Sequence, residues 1–241
     1  MHYGYQIEND IFWAGVAGNW EKDSINLWIE LCKFSNVIFD LGANTGIYSL
    51  IAKTVNPTAE IYAFEPVKRI FKKLQHNISI NNFNITAIEK AVSNYDGTAI
   101  IYDIPDEHVY AVTVNKNMHS AGTKTVDTVI ETVTLNTFIR DNNIKNIDLI
   151  KIDVETHEPE VLEGFSDYLK KYEPTILIEI LNDEIGMNVE KQLTGLNYLY
   201  FNINEKGGIR QVSSITKSDY FNYLICKPEI ATRIKLTWNY I

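Results

Sequence analysis

A short strand that ends in a glycine loop and restarts as a helix most limits what this 241-residue chain can fold into. Val37-Ile38-Phe39-Asp40-Leu41 is a β-branched and aromatic run, Gly42-Ala43-Asn44-Thr45-Gly46 interrupts it, and apolar residues resume beyond. The order returns in Glu60-Ile61-Tyr62-Ala63-Phe64-Glu65-Pro66, a strand closed by proline, followed by Ile70, Leu74 and Ile78 at helical spacing with Phe71 beside them. Upstream, Ile25, Trp28, Ile29 and Cys32 fall at i, i+3, i+4 and i+7 and predict a helix over 22–34. Strands alternating with helices predict an α/β fold with a doubly wound, mostly parallel sheet, because right-handed crossovers cover both faces. Ligands in such sheets bind beyond the carboxyl ends of the strands. Attention therefore falls on Asp40 to Gly46, Glu65, Ala91, Asp153 to Glu158 and Glu179 to Asp183.

Farther along, residues 85–92 read as a third strand, and Asp96-Gly97 as a turn into a β-prone segment at 98–104. Residues 106–126, with His108 and His119, are polar and aperiodic; a loop or hairpin of that length is expected to cover an acceptor site. Ile147 to Asp153 predicts a strand, then comes a helix with Val161, Leu162, Phe165 and Leu169 on one face. Thr175 to Ile180 is a covered strand, and strands near 197–203 and 219–226 are joined by the turn Glu205-Lys206-Gly207-Gly208. The length suits one core. One domain over 1–241 is expected, with a helical segment at 1–35, a cofactor and catalytic core at 36–182, and strands at 183–241 completing the sheet.

Charge narrows the partners. Lys and Arg number 22 against 31 Asp and Glu, a net charge of −9, and no basic run reaches five residues. Such a chain repels phosphate backbone, so no nucleic-acid partner is expected. The start of the chain lacks a secretory pattern, and the apolar stretch from Ile11 to Gly18 falls short of the roughly 20 residues that span a bilayer. A cytoplasmic protein without a membrane span is expected. Cys32 and Cys226 lie far apart with no metal-ligand spacing around them and read as core thiols.

The glycines at 42 and 46 let backbone approach a ligand and turn sharply into a helix. Asn44 stands where a dinucleotide fingerprint needs its second glycine, which argues against nicotinamide and flavin cofactors. Glu65 follows Gly46 by 19 residues, where a carboxylate can accept from both ribose hydroxyls of an adenosine. Asp40 adds a carboxylate beside the place for a cationic cofactor tail. Loop and acid together predict a nucleoside cofactor.

Val37 to Gly46, Ala63-Phe64-Glu65-Pro66, Val133 to Phe138 and Ile150 to Glu158 together resemble the FkbM family of S-adenosylmethionine-dependent methyltransferases, over roughly residues 18–182. Gly18-Asn19-Trp20-Glu21 looks like the family's upstream segment. The resemblance implies a class I methyltransferase (Rossmann-like) fold with S-adenosyl-L-methionine as cofactor. It puts Glu21, Asp40, Gly42, Asn44, Thr45, Gly46, Glu65, Pro66, Ala91 and Asp153 at that cofactor, with Glu65 on the ribose and Lys90-Ala91-Val92 beside adenine. Family members methylate hydroxyl oxygens of sugars or polyketide-like metabolites. This chain departs from the pattern twice, with Thr156 in place of a glycine and Asn136 in place of an aspartate. The first touches the turn beside the acceptor and the second a structural position.

Methyl transfer from a sulfonium is an in-line displacement, so alignment supplies much of the rate, and an alcohol acceptor needs a general base. His157 is the one imidazole close in sequence to the strand end at Asp153 and is expected to be that base, with Asp153 as the positioning or electrostatic group. Glu155 and Glu158 are supporting candidates. An oxygen-rich Mg²⁺ site from Asp153 and Asn182-Asp183 is less favoured than a plain turn at Asn182-Asp183, and no metal ligand is assigned. The expected function is O-methylation of a small hydroxylated acceptor, a sugar of a glycan, glycolipid or secondary metabolite. The alternatives are an amino- or carboxyl-directed small-molecule methyltransferase and a non-catalytic cofactor-binding partner subunit, which Thr156 keeps in view.

Overall fold

The computed structural model describes residues 6–16, 18, 20–103, 112–113 and 126–239. In chain order its elements are α1 (Gln6–Ala14), α2 (Lys22–Cys32), β1 (Val37–Leu41), α3 (Ile47–Val55), β2 (Glu60–Phe64), α4 (Lys68–Ile80), β3 (Thr86–Ile88) and β4 (Ala91–Val92). Next come β5 (Gly97–Asp103), β6 (Val112–Thr113), β7 (Val126–Val133), α5 (Leu135–Asp141), β8 (Leu149–Ile152), α6 (Glu158–Glu163) and α7 (Ser166–Tyr172). The chain continues with β9 (Thr175–Glu179), α8 (Asp183–Leu193), β10 (Leu199–Asn204), β11 (Gly208–Val212), β12 (Asn222–Cys226) and α9 (Pro228–Arg233). Among the described residues no helix is long and apolar enough to cross a membrane.

Eight strands form one sheet in the order β11-β10-β12-β9-β8-β1-β2-β3. The run from β9 to β3 is parallel, while β12, β10 and β11 pair antiparallel. Alternation along the strands splits the core in two. Ile38, Leu149 and Leu177 join Trp28, Leu31, Tyr48 and Leu74 on the face covered by α2, α3 and α4, whereas Phe39, Ile150 and Ile176 pack with Phe138, Leu162, Leu169 and Val189 on the face covered by α5 to α8. The sheet's two sides are thus both buried, as the strand-helix alternation requires.

The expected single strand at 85–92 is two. β3 adds to the large sheet, and β4 leaves it to join a second, four-stranded sheet of order β4-β7-β5-β6. The helix expected through Val161 and Leu169 is also broken, into α6 and α7. A Cβ on Gly164 would lie 2.0 Å from the Ser93 carbonyl oxygen, so the break sits where helix backbone meets the β4 end. The turn at Glu205–Gly208 leads into β11, not directly into β12, and forms a hairpin with β10. The cover expected at 106–126 falls outside the described residues apart from Val112–Thr113, paired with β5, and Val126, which opens β7.

α2 begins without a cap of its own. Its N-cap residue Glu21 has left-handed backbone (φ 42°) and makes no side-chain cap. Glu205, from the β10–β11 hairpin, supplies the missing acceptors: its carboxylate takes the Asp23 and Ser24 N–H groups at 2.6 and 3.2 Å and the Ser24 hydroxyl at 2.6 Å. A carboxylate there also meets the positive end of the helix dipole. Glu205→Ala should therefore cost about 1–2 kcal/mol of stability in urea unfolding, the range for a lost N-cap. No change would mean that water satisfies these donors equally well.

Candidate active site

A cavity of about 370 Å³ opens where the carboxyl ends of β9, β8, β1 and β2 meet β4 and the inner face of the second sheet. Across the sheet its wall runs from Glu179 through Asp153 and Gly42 to Glu65 and Ala91, with Trp20 and Glu21 at the α2 entrance. Its β2–β4 end is apolar, built from Val67, Ile70, Val92, Ile101 and Ile130. Its β8–β9 end is acidic, with Glu21, Asp153, Glu155 and Glu179 on the wall.

Glu65 is held before any ligand arrives. One of its oxygens accepts from the Asn44 N–H at 3.1 Å and the other from the Val67 N–H at 2.8 Å. Asn44 manages the sharp turn itself: its backbone is left-handed (φ 51°) and its side chain accepts from the Thr45 N–H at 2.8 Å. Pro66, Ala91, Gly42, Asn44 and Glu65, with Glu21 and Asp153, all line the cavity.

Three other residues expected at the cofactor, Asp40, Thr45 and Gly46, lie behind the cavity wall. Asp40 is fully buried beneath the loop, where it accepts from the Ser49 hydroxyl at 2.6 Å, and its other oxygen has no hydrogen-bond partner among the described residues. Thr45 is buried and its carbonyl accepts from the Asn77 side chain at 2.8 Å. Gly46 (φ 96°) turns its α-carbon to Leu74, where a Cβ would come within 2.5 Å of the Leu74 Cδ1. None of the three is on the cavity wall. They shape the loop from below, because the start of α3 needs them for packing on α4. Gly42 likewise faces protein as well as cavity: a Cβ there would stand 1.8 Å from the Asp153 carbonyl oxygen.

The acidic end is organised around one cation. Lys151 is buried, its Nζ 2.7 Å from Asp153 Oδ2 and 4.5 Å from the centre of the Tyr48 ring. Asp40 is its register partner on β1. Burial works against the ammonium, yet Asp153, Asp40 and Glu21 together hold its pKa above the ordinary value. The carboxylates outnumber it. Desolvation lifts Glu21 and Asp40 above the usual range, Glu155 to about 7 and Glu179 to about 9, with the Asp153 charge adding to each of the last two. Tyr48 donates to Glu21 at 2.5 Å, and Trp28 Nε1 fixes Tyr48 by donating to its carbonyl at 2.9 Å.

His157 reaches the cavity wall, but its ring is engaged with protein. Nε2 lies 2.9 Å from the Ser93 hydroxyl and Nδ1 3.6 Å from Glu160 Oε2. A carboxylate facing Nδ1 favours the proton on that nitrogen, which leaves the Nε2 lone pair to Ser93. Desolvation lowers the His157 pKa, and Glu160 opposes it. Glu158 is wholly buried, one oxygen accepting from the Val154 and Thr156 N–H groups at 3.2 Å each, and burial lifts it to about 8. The turn it gathers is left-handed at both Glu155 (φ 55°) and Thr156 (φ 77°), so Thr156 occupies a conformation that a glycine would take without strain. Asn136, the other departure, donates its backbone N–H to Gly164 at 2.9 Å, away from the cavity.

Asn182 caps α8 by accepting from the Ile185 N–H at 3.0 Å, and Asp183 accepts from the Lys217 N–H at 2.7 Å, so both serve the turn. Among the described residues no group of three or more His, Cys, Asp or Glu side chains is arranged to hold a metal ion. Sequence reasoning missed Ile101 and Ile130, which come from the second sheet, and Tyr48, Lys151 and Ser93, which act on the wall residues Glu21, Asp153 and His157 from behind. Lys151 alone had a signal, a lysine inside an otherwise apolar strand.

The chain is similar to known methyltransferases in sequence and in fold. The chain is 26% identical over 160 residues to the hexuronic acid methyltransferase AglP of Haloferax volcanii, covering 66% of this chain and 62% of that protein. It is 30% identical over 156 residues to the 31-O-demethyl-FK506 methyltransferase FkbM of Streptomyces tacrolimicus, covering 55% of this chain and 60% of that one. The chain thus spans about three fifths of the length of these relatives. A crystal structure of methyltransferase FkbM from Methylobacillus flagellatus KT has the same fold, with a TM-score of 0.51 at 15% identity over 79% of this chain and 43% of that one. Residues 40–207 match the Methyltransferase FkbM domain, and the chain belongs to that family.

Proposed function

We propose that this chain is an S-adenosylmethionine-dependent O-methyltransferase for a hydroxyl of a small acceptor. The observation that carries the reading is the polarity of the cavity, apolar at the β2–β4 end, with Glu65 at the β2 end and acidic at the β8–β9 end. An adenosine with a cationic tail has that order of chemistry along its length: a flat base, two ribose hydroxyls, then positive charge. The donor set fits in a second way. Four wall carboxylates share one buried lysine, and burial foremost, with the mutual repulsion of these acids behind it, lifts Glu21, Glu155 and Glu179, so a cation entering this end would meet an excess of carboxylates. The names of the two relatives, one acting on a hexuronic acid and one on 31-O-demethyl-FK506, support a hydroxylated small molecule as acceptor.

S-adenosylmethionine supplies a methyl group on a sulfonium. The chain's own part is to hold and align. Glu65, fixed by two backbone N–H groups, is ready to accept from the ribose hydroxyls without reorganising. Lys151 clamps Asp153, and Tyr48 clamps Glu21, so two carboxylates stand at set positions at the acidic end. Alignment of this kind supplies a large part of a displacement's rate.

Calorimetry should show binding of S-adenosylmethionine and S-adenosylhomocysteine but not of NAD. Glu65→Ala should weaken that binding by roughly 1.5–3 kcal/mol, the range for hydrogen bonds to a charged group. Transfer of a labelled methyl group to a panel of free sugars, glycosides and polyketide alcohols then tests the acceptor. Binding of neither adenosyl compound would sink the reading, and unchanged affinity in the Glu65 variant would remove that residue from the ribose.

A further inference from the structure

We propose that Glu155, in place of His157, takes the proton from the acceptor hydroxyl, and that its carboxylate is the charge partner of the sulfonium before transfer. This rests on the function proposed above. Three features of the geometry point to it. The imidazole is turned to Ser93 and Glu160, so its free lone pair is committed. Asp153 is committed as well, in an ion pair with Lys151 at 2.7 Å. Glu155, by contrast, stands on the cavity wall in a turn with two consecutive left-handed residues, at 155 and 156, a backbone that favours glycine. That turn is gathered by the buried Glu158 carboxylate through the N–H groups on either side of Glu155. Backbone held in this way at a cavity mouth aims a side chain.

The charges balance in a manner that suits a cavity partly withdrawn from water. The acceptor's O–H bond breaks toward a Glu155 oxygen as the oxygen's lone pair forms the new C–O bond. The C–S bonding pair stays on sulfur. One positive and one negative charge become a neutral thioether and a neutral carboxyl, so charge is annihilated as the methyl moves. Glu155 is also poised for the task, since desolvation and the neighbouring Asp153 raise it to about 7, against the pull of Lys151. The charged and titratable groups facing this end are Lys151 on β8 with Asp153 just past it, Asp40 behind them on β1, Glu179 at the end of β9, Glu21 before α2, His157 in the following turn and Glu158 at the start of α6. Of these Glu179, lifted to about 9, holds its proton at neutral pH and is a poorer base.

The assignment predicts a proton linkage that needs no acceptor. Binding of the sulfonium should expel the Glu155 proton, whereas binding of the neutral thioether should not. Calorimetric titration of the full chain in buffers of different ionisation enthalpy, between about pH 5.5 and about pH 8, reads the protons released. Below the Glu155 pKa, affinity for S-adenosylmethionine should rise roughly tenfold for each unit by which the ligand lowers that pKa, while affinity for S-adenosylhomocysteine stays flat. Glu155→Gln should abolish the difference between the two ligands, and Glu179→Gln should retain it. Equal proton release for both ligands, or a difference that survives Glu155→Gln, or one that disappears only in Glu179→Gln, overturns the proposal. If neither ligand binds, the cofactor reading itself fails and this assignment falls with it.

Discussion

Gly42→Val should destabilise the ligand-free chain severely, rather than leave its stability intact around an empty cavity. The position carries two independent demands. Its φ of +79° lies in the region that L side chains avoid, and any Cβ would be driven to 1.8 Å from the Asp153 carbonyl oxygen and 2.9 Å from its carbon. That neighbour cannot withdraw, because the Asp153 N–H donates to the Leu41 carbonyl at 3.0 Å and locks the ends of β1 and β8 together. Strain and overpacking at one residue together should exceed about 3 kcal/mol, a large share of the about 5–15 kcal/mol that holds a typical domain. Urea unfolding of the ligand-free variant measures it. A midpoint equal to the parent's would mean the loop yields, and the glycine would then be read as a ligand-contact residue alone.

Lys151→Met should be the other severe change. Removing one partner of a buried ion pair costs about 3–5 kcal/mol because the other charges stay behind. Here Asp153, Asp40 and Glu21 all lean on the same ammonium. The loss should depend on pH. Glu155 and Glu179, raised from 4.5 to about 7 and about 9, bind protons in the folded chain that the unfolded chain gives up. The unfolded state then binds fewer protons, so stability falls as pH rises from about 4.5 through those values. The parent should therefore weaken between pH 6 and pH 9, and the variant should weaken more steeply. Equal urea midpoints of variant and parent at pH 9 would remove Lys151 from the role of shared counter-charge.

The strands most readable in the sequence are those buried on both faces. Val37–Leu41, Leu149–Ile152 and Thr175–Glu179 are nearly continuous apolar runs bounded by polar residues, and each lies inside the parallel sheet. The second sheet was readable only in β5, the β-prone segment after the Asp96-Gly97 turn. Ile85 to Val92 looks like one run, and nothing local marks the point between Ile88 and Ala91 where the chain passes from one sheet to the other. β7 shows only Ile130, Val133 and Thr132 to the core, too few to separate it from a loop. The site divides the same way. Residues brought to the cavity by their own strand end, Glu65, Asp153 and Glu179, follow from the rule that ligands sit at those ends. Residues with the right chemistry but the wrong facing, Asp40 and Thr45, needed the packing of α3 and α4 to reveal that they point inward. The engagement of His157 depends on Ser93, 64 positions earlier, a pairing no local pattern contains.

The Glu205 cap also sets an order of events during synthesis. The donors of α2 wait for an acceptor that lies 181–182 residues downstream, and the Ser24 hydroxyl is bonded again by Asn222, 198 residues away. A growing chain therefore exposes an unfinished helix entrance at Asp23 and Ser24 until the β10–β11 hairpin has left the ribosome. The acidic end of the cavity is completed last, although Glu21 is among the first of its residues to be made.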